Sequence, residues 1–156
     1  MASCRRVLPV SRCHVRGRRT VTLSSDSRTT AGILLLTIVA IEYGGWFLTR
    51  IVRGKVPMTD FQKAFARAGH AHAGVLVSLG LICQVLADAT TLHGFAGWAA
   101  RSGVPFAAIL MSAGFFVSSA GKGDIQQPNR LIWLVWIGAL SLAAGVVSLG
   151  VGLLTA

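Results

Sequence analysis

The chain has 156 residues, 53% of them hydrophobic and 13% charged, with a mean hydropathy of +0.65 and a formal net charge of +10. That is too apolar for an ordinary soluble domain, and the apolar residues come in blocks, so the chain reads as one membrane-embedded domain. The charge does not make it a nucleic-acid binder: seven of the 15 Lys and Arg precede residue 30 and five more lie between Arg50 and Arg67, flanking apolar blocks as orientation signals and lipid-headgroup contacts do.

Residues 1–29 are basic and polar without helical or strand periodicity, and read as a disordered N-terminal tail. A secretory signal fits poorly, because the apolar run that follows is too long and no small-x-small cleavage site follows it cleanly. The abrupt change in composition raises an alternative, a mature chain starting near Val21 or Leu23, which N-terminal sequencing decides. Cys4, Cys13 and Cys83 form no disulfide framework and no metal-ligand spacing, and Cys83 lies inside an apolar run.

Residues 31–51 are expected to be the first span, since about 20 residues cross a hydrocarbon core of roughly 30 Å. Glu42 lies near its middle, where an ionised carboxylate costs on the order of 3 kcal/mol. Gly45, Trp46 and Thr49 share its face at helical spacing, so that face is expected to meet another helix. Pro57 and Gly54 then break the helix. Thr59 and Gln62 stand at capping-box spacing, and predict a short interfacial helix between spans 1 and 2.

The second span is placed at residues 69–88. On a helix turning about 100° per residue, His70, Gly74, Gln84 and Asp88 fall within roughly 40° of one line, while His72 points nearly the opposite way. A polar stripe in a span implies helices packed against it. The stretch ATTLHGFAGWAARSG reads as a short re-entrant or interfacial loop, holding His93 and Arg101. Residues 104–120 are the third span, with Pro105 in its first turn and small residues at Gly114, Ser118 and Gly121. The loop GKGDIQQPNR precedes the fourth span, residues 131–154, which carries no charge. There Gly138, Ser141, Gly145, Ser148 and Gly152 recur every three or four residues and mark a helix-packing seam.

Four spans put both termini on one side. The opposite loops carry seven Lys and Arg, namely Arg50, Arg53, Lys55, Lys63, Arg67, Lys122 and Arg130, against eight on the terminal side when residues 1–29 are counted whole, which decides nothing. A chain beginning near Val21 would keep only Arg28 and Arg101 there. The positive-inside rule then places the basic loops in the cytoplasm and the termini outside.

Three readings of the chemistry compete. His70-Ala71-His72 resembles the histidine pair on one helix of haem-copper oxidases, which implies a haem-associated redox subunit using His70 or His72; the rest of that ligand set is missing, and the plainer reading is histidines that hydrogen-bond neighbours or headgroups. Glu42 in the first of four spans resembles the small multidrug-resistance transporters, which implies a proton-coupled small-molecule transporter using Glu42. Against both stands a structural lock pairing Glu42 with His70, Gln84 or a connector arginine. No nucleophile-and-base set, phosphate-binding glycine loop or paired catalytic carboxylates occur, so no enzyme and no cofactor are expected. With RAGHAHAGVL in the second span and SAGFFVSSAGKGDIQQPNRLIW across the third and fourth, residues 31–154 resemble an uncharacterised family of small four-span bacterial integral membrane proteins. That resemblance implies a fold and a location in the cell membrane, and no activity.

The expectation is an all-α, four-helix transmembrane bundle. Its candidate intramembrane polar site is Glu42, His70, His72, Gln84 and Asp88. Its partners are the lipid bilayer and a homo-oligomer or another membrane protein, with no nucleic acid. Its role is that of an accessory or oligomeric membrane component.

Overall fold

The computed structural model describes residues 22–156. Among them are four long helices and no strand. Helix α1 spans Ser25–Val52, α2 Asp60–Ala87, α3 Gly94–Ser118 and α4 Trp133–Leu154, the last led in by a single 3-10 turn, Arg130–Ile132. At about 1.5 Å per residue, the 28 residues of α1 or α2 reach about 42 Å, more than the roughly 30 Å of a hydrocarbon core. All four are long and apolar enough to cross a membrane, and a four-helix bundle fits them. The protein is a multi-pass membrane protein.

Each helix starts where its local chemistry directs. Ser24 caps α1, its hydroxyl accepting the Ser27 N–H at 3.2 Å, with Asp26 in the positive first turn. Residues 25–29, expected in the tail, are therefore helical; the rest of the tail reading and a start at Val21 fall on residues outside those described. The Thr59–Gln62 capping box is formed in both directions, at 3.2 Å and 3.1 Å.

Two expected boundaries move. The helix begun at Asp60 does not end at the membrane surface but runs unbroken into the second span, because Ala64, Ala66 and Ala68 favour helix and nothing between residues 60 and 69 stops it. The separate interfacial helix is thus the first part of α2. The expected loop before the third span is helical from Gly94, so Pro105 sits inside α3 and not in its first turn. Gly94 and Gly97, which with Trp98 suggest a loop, lie in the first turn of α3, and Arg101 is neutralised by a partner described below.

The connections between helices alternate between the two faces of the bundle. At one face the Gln62 amide donates to the carbonyls of Ser119 (3.0 Å) and Gly121 (3.3 Å), and Thr59 donates to Ile125 O at 2.6 Å. Asn129 donates to Val117 O at 2.9 Å, tying the entry of α4 to the exit of α3. At the other face the Ser24 N–H donates to Asp88 at 2.8 Å. Helix α3 packs on both α2 and α4, whereas α1 packs on α2.

The small residues of α4 face α3. A Cβ placed on Gly145 would come 3.0 Å from the Gly103 Cα, one on Gly138 would strike Met111, and one on Gly152 would strike Leu92. Ser141 donates its hydroxyl proton to Gly103 O at 2.9 Å. Ser148, on the same line, is half-buried. Between α2 and α3 lies a core of Leu76, Val77, Cys83, Ala100, Val104 and Ala107. The outer faces are apolar, with Leu36 of α1 75% exposed and Leu140 of α4 72% exposed, as helices solvated by hydrocarbon require.

Candidate functional site

Polar chemistry in the spans and at their ends gathers in three places. The first is a clamp at the terminal face. Asp88, the C-cap of α2, accepts from Arg101 Nη2 at 3.0 Å through one oxygen and from the Ser24 N–H at 2.8 Å through the other. Its side chain is 7% exposed, so the pair is close to buried. Burial alone would push this carboxyl up, but the Ser24 N–H and Arg101 outweigh it and hold the group below the usual carboxylate range. One residue set thus joins the start of α1, the end of α2 and the first turns of α3.

Gln84 stands one turn deeper and is fully buried. Its amide donates to Gly80 O at 3.2 Å and to Arg101 O at 2.8 Å. The second bond has a covalent cause. Pro105 lacks the N–H that would have bonded the carbonyl four residues back, which is that of Arg101. Gln84 supplies the missing donor from the neighbouring helix. Its own Oε1 has no partner among the described residues.

The second place is His70. Its ring lies against α1 where Gly44 and Gly45 leave room: a Cβ at either would come within 3.4 Å of ring atoms. His70 makes no hydrogen bond to any described residue. It lines a cleft of about 440 Å³ floored by α2 and walled by α1 and α3, whose other lining residues include Thr37, Ile41, Val77, Pro105 and Ala108. His72 faces the other way, as its spacing predicts. Its Nδ1 donates to Ala68 O at 2.7 Å and its ring packs on Phe115 at 4.9 Å between centroids.

The third place is Glu42, exposed on α1. The α1 residues that meet α2 follow a seam through Leu34, Ile38, Ile41, Gly45 and Leu48, and Glu42 sits about 100° round from Ile41. Glu42 makes no hydrogen bond or ion pair with the described residues. Of the face it shares with Gly45, Trp46 and Thr49, only Gly45 meets a neighbour; Trp46 is 50% exposed and carries Arg50 over its ring at 5.2 Å.

The five residues read as one polar site are therefore not brought together. His70 and Gln84 are 14 positions apart on α2, about 21 Å along the axis, and the line joining them meets α1 at one end and α3 at the other. The lock pairing Glu42 with His70, Gln84 or a connector arginine is not formed within the chain. Only Gln84 and Asp88 share a centre, and the residues that complete it, Arg101 and Ser24, went unread. A signal for the pair was present: Asp88 is the sole acid between Asp60 and Asp124, and Arg101 the sole Lys or Arg between Arg67 and Lys122. Among the described residues no group of three or more His, Cys, Asp or Glu is placed to hold a metal ion. No protein-family model, curated protein or solved structure matches the chain.

Proposed function

We propose that the protein is an accessory or oligomeric component of the bacterial cell membrane that docks onto a second copy of itself through the outer face of α1, with its basic loops in the cytoplasm. The observation that carries this is Glu42. A carboxyl group on the outer face of a span, with no partner among the described residues, costs on the order of 3 kcal/mol in lipid, and an interface that covers it with polar groups recovers part of that. Tyr43 and Trp46 flank it and supply amphipathic contact area. The choice of membrane rests on the resemblance read from RAGHAHAGVL and SAGFFVSSAGKGDIQQPNRLIW alone.

Cross-linking in native membranes tests the reading. In a background with Cys4, Cys13 and Cys83 replaced by alanine, Val39→Cys on α1 and Leu140→Cys on α4 are equally exposed in the monomer, at 71% and 72%. The expected outcome is a homodimer band from Val39→Cys and none from Leu140→Cys. Equal yields from the two, or no dimer from either, would refute a docking face on α1.

A second reading follows from the same outward position. Two copies meeting at α1 would enclose both Glu42 side chains, the arrangement a proton-coupled exporter of lipophilic cations needs. That reading expects proton release when such a cation is added, abolished in Glu42→Gln while the Val39→Cys cross-link persists. No proton release from the unaltered chain removes it.

A further inference from the structure

We propose that the cleft between α1 and α3 is a binding site for an uncharged, chain-like apolar molecule carrying one carbonyl or hydroxyl oxygen, which hydrogen-bonds His70. This goes beyond the assembly reading and does not depend on it, since the cleft lies beside the α1–α2 seam and excludes Glu42.

The dimensions select the shape. The lining runs along α1 from Thr30 to Gly44, and 14 residues at about 1.5 Å give a length of about 21 Å. Spread over that length, even the whole void of about 1150 Å³, open mouth included, is a mean cross-section of about 55 Å², whereas a helix about 10 Å across needs about 80 Å². The cleft admits an extended chain and is too narrow to seat a partner helix. Its edges are Ile33 on α1 and Phe106 and Ile109 on α3, all exposed on the outer surface, so the way in is sideways from the bilayer.

The chemistry selects the class. Apart from His70, no titratable side chain lines the cleft. Thr37, the polar residue midway along it, already donates to Leu34 O at 2.7 Å. Thr30, Ser102 and His70 make no side-chain hydrogen bond to a described residue, and of these His70 alone offers a ring nitrogen. It lies beside Gly44, about two turns along α1 from Arg50, and Arg67, about one turn away on its own helix at the basic face, does not line the cleft. An anionic or cationic headgroup drawn into the cleft would be desolvated with no counter-charge in the lining. A neutral oxygen bonded to the imidazole meets no such cost, and it satisfies a ring that has no hydrogen-bond partner among the described residues.

The test uses the full chain in lipid nanodiscs and a diazirine-bearing hexadecanol as probe, with sites of labelling read by mass spectrometry. Saturable labelling is expected on the lining segments of α1 and α3. Unlabelled hexadecanol should displace the probe at far lower concentration than hexadecane or palmitate. His70→Leu should weaken saturable labelling about tenfold, the factor one hydrogen bond supplies. Ala40→Phe, which fills the cleft from an exposed position and leaves His70 in place, should abolish it with an unchanged elution profile. Labelling that never saturates, or competition by hexadecane equal to that by hexadecanol, would show that bulk lipid fills the cleft and overturn the proposal. So would palmitate competing as well as the alcohol. A Soret band in the purified chain, lost in His70→Leu and kept in His72→Leu, would assign the imidazole to haem instead and overturn it equally.

Discussion

The contact between α3 and α4 and the seating of α1 on α2 are built in opposite ways. The first is a long seam in which glycine backbones touch, Ser141 bonds across it, and no side chain intervenes between Gly103 and Gly145. The second is held at discrete points: the Asp88 clamp at one end, Leu34 against Gly80 in the middle, and His70 against Gly44 and Gly45 toward the other end. Close backbone approach maximises dispersion contact, which is what drives helices together in lipid where no hydrophobic force acts between them. Point contacts leave space, and the space beside α1 is the cleft. Rigid packing and an accessible interior surface are thus assigned to different pairs of helices in the same small bundle.

The comparison can be broken from the α4 side with the largest effect. Gly145→Leu should destabilise the bundle by about 3 kcal/mol, because the side chain has only backbone to displace. Gly150→Leu, on the same helix with nothing within 4 Å, should change stability by no more than about 0.5 kcal/mol. Unfolding titrations of the two in one detergent settle whether the seam or mere helix composition matters.

A smaller loss is expected from Asp88→Asn. It leaves Arg101 without its counter-charge and weakens the hold on Ser24, at a cost of about 2 kcal/mol for a charge-assisted bond. The signature lies in where the loss falls. Amide exchange should rise in the first turns of α1 and stay unchanged along α4. Because the folded-state carboxyl titrates below its ordinary range, the clamp's contribution is complete above that range and disappears as pH falls through the folded-state value. Acidification of the unaltered chain should therefore reproduce the exchange pattern of Asp88→Asn. If acid loosens α4 first, the clamp is not what seats α1.

The smallest effect belongs to Gln84→Leu, about 1 kcal/mol, read from the same titrations. The carbonyl of Arg101 loses its donor, but the variant also removes the unpaired Oε1, so two terms of opposite sign partly cancel. A loss as large as that of Gly145→Leu would mean that the α2–α3 contact, and not the α3–α4 seam, dominates the bundle.

Much of the architecture was legible because it is written in spacings. Apolar run lengths mark the four spans, Thr59 and Gln62 mark the start of α2, and the three-and-four rhythm of Gly138 to Gly152 marks the face that meets α3. The boundaries were less legible for an identifiable reason. Ser24, Ser25, Asp26 and Ser27 carry a helix-start signature, but among polar neighbours they look like tail. Gly94, Gly97 and Trp98 look like loop, and Arg101 has no visible partner until Asp88 is brought to it by the turn of the chain. The polar site was misread because helical spacing reports which side a residue faces and says nothing of which neighbour stands there. His70, Gln84 and Asp88 share a line on α2 and meet different helices, while Glu42 faces away from all of them.

Pro105 has a bearing on biogenesis. Entering the bilayer alone, α3 would carry the Arg101 carbonyl into a low-dielectric medium with no donor in its own helix to receive it. The donor is on α2, the preceding segment to leave the ribosome. These two segments are thereby suited to enter the lipid together as a helical hairpin, with the amide of one covering the gap that the imino acid leaves in the other.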